Sequence, residues 1–201
     1  MKIGLTGSIA CGKSTVSAYL RALGYPVVDA DAVSRSLTAP GGEALGALRE
    51  AFGDGVFDGG ALDRRALGAL VFSSPAQRER LNALLHPLII ASVSRQLEAL
   101  DTAEGLVFGD IPLLYECGME ALFARIWVVS APREAQLSRL CARDGLTREE
   151  AERRIASQMP LAEKCRRADA VISTDGPLGC AHGQIDALLA ALALPAERSL
   201  R

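Results

Sequence analysis

Aromatic side chains are scarce in this 201-residue chain: five Phe, three Tyr and one Trp, 4% of the whole. Hydrophobic residues still reach 49%, so a folded core is expected, and Ala, Leu and Val have to fill most of it. Histidine is rarer, with two residues, and the five cysteines (Cys11, Cys117, Cys141, Cys165 and Cys180) contain no C-x-x-C pair. That spacing argues against a metal or dithiol redox protein. An excess of positive charge is also missing. The formal charge of −2 disfavours a broad basic surface for nucleic acid, although a local basic cleft stays open. No apolar run approaches the roughly 20 residues of a membrane span. The opening "MKIGLTGS" carries one positive charge and reaches glycine at once, unlike a signal peptide. The expectation is a reduced cytoplasmic protein with no membrane or nucleic-acid partner, its oligomeric state open.

What is present is an alternation of short apolar runs and helical patterns. "KIGLT" (2–6) reads as a buried strand ending at a glycine-rich turn. Val16, Tyr19, Leu20 and Leu23 then share one helical face, with Gly24 as the stop. "YPVVDADA" (25–32) predicts a second strand, so the chain opens as a parallel α/β sheet. "FGDGVFDGGALD" (52–63) predicts an irregular or hairpin connection. Three helices follow, Leu62 to Phe72, Pro75 to Leu85 and Pro87 to Leu100, each proline opening one. Roughly 60 to 100 therefore reads as a helical insertion. Strands are predicted at 105–110, 125–131 and 168–174, polar helices at 134–144 and 148–159, and a last helix through Ile185 and Leu192 that packs on the sheet. Thr147 and Glu150 have capping-box spacing. The tail "PAERSLR" is expected to fray.

Residues 7–15 read "GSIACGKST". Gly7, Gly12, Lys13 and Ser14 satisfy G-x-x-x-x-G-K-[ST], with a strand before and a helix after. The pattern predicts a loop whose backbone N–H groups and helix N-terminus hold phosphates, with Lys13 on the β- and γ-phosphates and Ser14 on Mg²⁺.

Asp29 and Asp31 stand at the end of the second predicted strand, where open α/β sheets bind ligands. Either acid could take the proton of an attacking hydroxyl or hold a metal through water. A helix N-cap on "DAVSRSL" is an equally open reading. Asp110, ending the strand 105–110, resembles a Walker B acid, with a structural turn as its alternative. Arg139 and Arg143 lie four apart on one helical face, and Arg153 and Arg154 follow in the next helix. Such a segment can close over ATP, or it can be a solvated charged face.

Several separated stretches together resemble dephospho-CoA kinase: "GLTGSIACGKSTV" (4–16), "VVDADAVSR" (27–35), "LDRRALGALVF" (62–72), "LNALLHPLI" (81–89), "IPLLYE" (111–116), "QLSRLCARDGLTREEAERRIASQMPLAEK" (136–164) and "ADAVISTDG" (168–176). They keep the family's order and cover nearly the whole chain. The resemblance implies a three-layer α/β P-loop kinase core with a parallel sheet, a helical substrate-binding insertion and a helical lid. The implied subregions are 1–58, 101–136 and 166–201 for the core, 59–100 for the CoA-substrate domain and 137–165 for the lid. It implies transfer of the ATP γ-phosphoryl group to the ribose 3′-hydroxyl of dephospho-CoA; with the Mg²⁺ expected at the loop, direct in-line displacement is the expected mechanism. Asp31 is the implied general base, with Lys13, Arg139 and Arg143 as the catalytic cations. Gly7, Ala10, Cys11, Gly12, Lys13, Ser14 and Thr15 are the implied nucleotide loop. His86 falls in the family's "HP" pair, where packing or capping is the simpler reading than catalysis.

Two departures stand out. Ser8, Ala10 and Cys11 replace the family's Gly, Gly and Ser, and Thr174 stands where an Asn-containing turn is usual, which leaves the adenine-side contacts there open. Cys11 is expected to be a near-isosteric substitute for Ser with its backbone N–H toward phosphate. Its thiol, near a helix N-terminus and Lys13, is expected to have a lowered pKa and to react with alkylating agents unless ATP protects it. The rival readings are another small-molecule or nucleotide kinase, and a nucleotide-binding regulatory protein. A GTPase switch is disfavoured because no N-K-x-D motif occurs.

Overall fold

A computed structural model describes residues 1–101 and 105–193. The predicted tail lies outside the described residues. In chain order the elements are β1 (Lys2–Gly7), α1 (Lys13–Ala22), β2 (Val27–Asp29), α2 (Ala30–Leu37), α3 (Leu45–Phe52), β3 (Phe57–Asp58), β4 (Ala61–Leu62), α4 (Arg64–Ser73), α5 (Pro75–Leu100), β5 (Val107–Asp110), β6 (Arg125–Ser130), α6 (Arg133–Asp144), α7 (Arg148–Ala156), α8 (Leu161–Arg167), β7 (Ala170–Ser173) and α9 (Leu178–Ala193). The described residues form two compact units, 1–27 with 105–193, and 28–101.

The first unit is built on parallel strands in the order β5-β1-β6-β7. β2 opens at the unit's last residue on the β5 edge, where Phe108 N donates to Pro26 O at 2.9 Å. β1 is buried from Ile3 onward because layers cover both of its faces, as a parallel central strand requires. Ile3 and Leu5 pack with Val16 and Leu20 of α1, Val129 of β6, Ile172 of β7 and Ile185 of α9. Each such side chain contributes about 1.5–3 kcal/mol on burial. The few aromatics are spent here: the rings of Phe108 and Trp127 lie 5.4 Å apart at the sheet's centre. Leu137 and Leu140 of α6 meet Ala151 and Ile155 of α7 in a second, smaller core. Thr147 starts α7 with the predicted capping box, its hydroxyl taking the Glu150 N–H at 3.2 Å and Glu150 returning to the Thr147 N–H at 2.9 Å. The stretch read as one helix over 148–159 ends at Ala156, and a separate α8 begins after Pro160, a helix the 3.6-residue pattern did not mark.

The second unit is helical. The predicted connection at 52–63 contains the hairpin β3–β4, turned by Gly59 and Gly60. Asp63 caps α4, accepting from Arg65 N and Ala66 N at 2.9 and 3.0 Å. Its carboxyl is held below the usual range by the N–H of Ala66, then that of Arg65.

Two local expectations are corrected. Pro75 opens a helix, but Pro87 does not open another: α5 runs unbroken from Pro75 to Leu100 with Pro87 inside it. An interior proline, through its missing N–H and the clash of its ring with the preceding turn, costs about 3 kcal/mol. Continuity buries Val93 and Leu97 and keeps α5 packed against α2, α3 and α4. The strand expected over 25–32 stops at Asp29, because the Asp29 carboxylate accepts Asp31 N at 2.8 Å and Ala32 N at 3.1 Å and starts α2. Asp31 therefore sits in a first helical turn, not at a strand end.

Candidate active site

Between β1 and α1 the chain folds into the phosphate loop that the motif predicts. Gly12 is the N-cap of α1 at φ +82°, with no side-chain cap and no acid in the first turn. The first N–H groups of any helix lack intrahelical partners, so this ten-residue helix presents Lys13 and Ser14 amides to an anion. A Cβ at Gly12 would sit 3.3 Å from Thr174 Cγ2 and Oγ1. Ala10 holds φ +60°, the left-handed region, where the family's glycine would rest without strain. Ser14 is exposed and free to reach a ligand.

Lys13 Nζ pairs with Asp110 Oδ1, and Ser17 Oγ donates to Asp110 Oδ2. Asp110 is buried, and β1–β5 register sets it opposite Leu5, just before the loop. The acid read at the strand end is thus placed on the loop lysine.

Ile9 and Ala10 of the loop rest against the α6–α7 core. Arg139 of α6 reaches Ala10 O at 3.4 Å, Thr174 Oγ1 at 3.1 Å and Thr174 O at 2.9 Å. The Thr174 hydroxyl in turn donates to Cys11 O at 2.7 Å. These residues border a cavity of about 260 Å³ lined by Gly12, Thr15, Arg139, Thr174, Pro177 and Leu178. Arg143 does not accompany Arg139: its Nε bonds Asp144 Oδ1 at 2.7 Å, and Arg154 bonds Asp144 Oδ2 at 2.9 Å. Arg143, then Arg154, hold the Asp144 carboxyl below its usual range. Arg153 is exposed.

Asp31 is exposed, and its carboxylate makes no hydrogen bond or ion pair among the described residues. His86 is half-buried within α5.

The expectations for Cys11 are corrected. Its side chain is 1% exposed and belongs to the main core beside Ile3 and Leu5. Burial pushes the thiol's pKa up, outweighing the lowering by hydrogen bonds from Ser8 and Ala131 and by the Arg139 charge. Its backbone N–H donates to Ser8 O at 3.2 Å, inside the loop.

Sequence reasoning singled out neither Gln158 nor Lys164. Gln158 Oε1 accepts from Ile9 N at 2.8 Å and Ser8 Oγ at 3.2 Å. Lys164 is fully buried, its ammonium on Gly7 O (3.3 Å), Pro112 O (3.0 Å) and Glu116 Oε1 (2.8 Å). The available signal was a lone lysine within the apolar pattern of "PLAEKC".

The family model described as dephospho-CoA kinase (CoaE) matches residues 1–179. A dephospho-CoA kinase of Anaeromyxobacter dehalogenans is 49% identical over 94% of this chain and 91% of its own length. That of Deinococcus radiodurans is 50% identical over 94% and 90%. Among solved structures, TT1252 from Thermus thermophilus superposes with a TM-score of 0.81 at 41% identity, covering 96% of this chain and 98% of that one. Shikimate kinase from Bacteroides thetaiotaomicron gives a TM-score of 0.55 at 18% identity over 96% and 99%, a likeness of fold alone.

Proposed function

We infer how the site works from one premise: the chain belongs to the dephospho-CoA kinase family. It is an enzyme, a phosphotransferase that moves the ATP γ-phosphoryl group to the ribose 3′-hydroxyl of dephospho-CoA and so completes coenzyme A biosynthesis. Another small-molecule kinase on the same core, or a regulatory nucleotide binder, is not favoured: relatives at 43–50% identity are dephospho-CoA kinases, whereas shikimate kinases share only the fold.

The division of labour among residues is our proposal. The observation that carries it is the uncapped α1 N-terminus with Lys13 beside it. The α1 amides and Lys13 hold the nucleotide phosphates, Lys13 exchanging Asp110 for phosphate oxygen. The base lies in the cavity beside Arg139, against Pro177 and Leu178. Ser14 supplies a hard oxygen donor that suits Mg²⁺ brought in with the nucleotide. Bound there, the ion would neutralise charge on the phosphates. Asp31, exposed and unpaired, orients the 3′-hydroxyl and takes its proton. Arg139, with Arg143 after it leaves Asp144, neutralises charge on the equatorial oxygens. Residues 59–100 receive the CoA substrate and 137–165 act as the lid. No helix among the described residues is long and apolar enough to cross a membrane. We place the enzyme in the cytoplasm, in keeping with its family's biosynthetic role.

The test is ³¹P detection of product from ATP, Mg²⁺ and dephospho-CoA, with shikimate and nucleoside monophosphates in parallel. A new 3′-phosphate on dephospho-CoA alone is expected. Transfer to one of the other acceptors in preference would overturn the reading.

A further inference from the structure

We propose that Lys164 is a positioning residue for phosphoryl transfer, acting through the carbonyl oxygens of Gly7 and Pro112; the proposal rests on the kinase reading above. Lys164 has no solvent exposure, and its ammonium offers three protons. They go to Gly7 O, Pro112 O and the Glu116 carboxylate. Gly7 is the first residue of the phosphate loop. Pro112 lies two residues past Asp110, and its carbonyl also takes the Thr6 hydroxyl at 3.1 Å. One ammonium thus clamps the end of β1 to the chain leaving β5. Lys13 and Asp110 stand on the continuations of those same two segments. Only glycine fits here against β6, since a Cβ at Gly7 would lie 2.6 Å from Val129 O.

Glu116 cancels most of the Lys164 charge, so the residue acts by place rather than by field. Glu116 also receives the Met159 N–H at 3.0 Å. Gln158 holds Ile9 and Ser8. The segment from Gln158 to Lys164, directly after the α6–α7 pair, therefore grips three consecutive loop residues, Gly7, Ser8 and Ile9. Lys164 is the fixed end of that grip.

The test compares K164M and the double variant K164M/E116Q with the wild type in urea unfolding and in steady-state kinetics at a temperature where each is folded. In K164M stability falls, because the Glu116 charge loses its partner, and kcat falls about 10²-fold, the size of loss that a misplacement near 1 Å produces, with KM for ATP changing far less. In the double variant no unpaired charge remains, so stability recovers, while kcat stays about 10²-fold down. Were kcat to return together with stability, Lys164 would be no more than half of a structural ion pair, and the proposal would fall. A folded K164M with wild-type kcat would overturn it equally. If K164M does not fold, the double variant carries the comparison by itself. Wild-type turnover of dephospho-CoA is read in the same assay, so a failure of the kinase reading would show there, separately from the variants.

Discussion

Arg139 holds Thr174 with both terminal nitrogens of its guanidinium, one on the hydroxyl at 3.1 Å and one on the carbonyl oxygen at 2.9 Å. The same hydroxyl donates to Cys11 O, so α6, the turn after β7 and the phosphate loop meet at one side chain. The threonine that departs from the family's usual turn has a definite task here.

That contact separates Arg139 from Arg143. Arg139→Met should lower kcat by roughly 10²-fold, as loss of one preorganised donor to the transferring group does. Arg143→Met should cost less, because its guanidinium is engaged by Asp144. Steady-state kinetics of both variants would show it; equal losses would mean that the two arginines act alike.

Asp29 and Asp31 are two residues apart and should fail differently. Asp31→Asn should reduce kcat by about 10²–10⁴-fold while ATP binding, followed calorimetrically, is unchanged. Asp29→Ala removes the α2 cap and should cost about 1 kcal/mol in urea unfolding. Near-native turnover by Asp31→Asn would remove Asp31 from the mechanism.

Ala10 is held at a positive φ that glycine adopts freely. Ala10→Gly trades about 1–2 kcal/mol of left-handed strain for a smaller loss of chain entropy, and should stabilise the protein by about 0.5–1 kcal/mol. A lower melting temperature for the variant would contradict this.

Cys11 should resist alkylation in the folded protein. Burial raises its pKa, so at pH 8 its thiolate fraction lies below that of a free cysteine and grows only at higher pH. Exposed Cys180 should label first and Cys11 only in denaturant, as peptide mass spectrometry would report. Rapid labelling of native Cys11, blocked by ATP, would restore the reactive-thiol reading rejected above.

Local signals in the sequence carried the phosphate loop, the capping box and the positions of the strands along the chain, since each is written within a dozen residues. Pro87 reads as a helix start from propensity alone, whereas the packing of α5 on its neighbours carries the helix through it. Asp31 reads as a strand residue because the carboxylate of Asp29, rather than any apolar pattern, decides where α2 begins. Lys13 with Asp110, Ile9 with Gln158 and Gly7 with Lys164 join residues 97, 149 and 157 positions apart. No periodicity encodes such pairs; they exist only once the sheet has brought its strands into register.

The pairing of Lys13 with Asp110 bears on which anions the loop will keep. A chloride or sulfate ion drawn to the α1 N-terminus must compete with a buried carboxylate for the lysine, and offers few contacts in return. In the proposed binding mode a polyphosphate would engage the helix amides, the lysine and the neighbouring hydroxyl together. On that proposal occupancy follows the number of simultaneous contacts, which favours a polyphosphate over a small inorganic anion at the same loop.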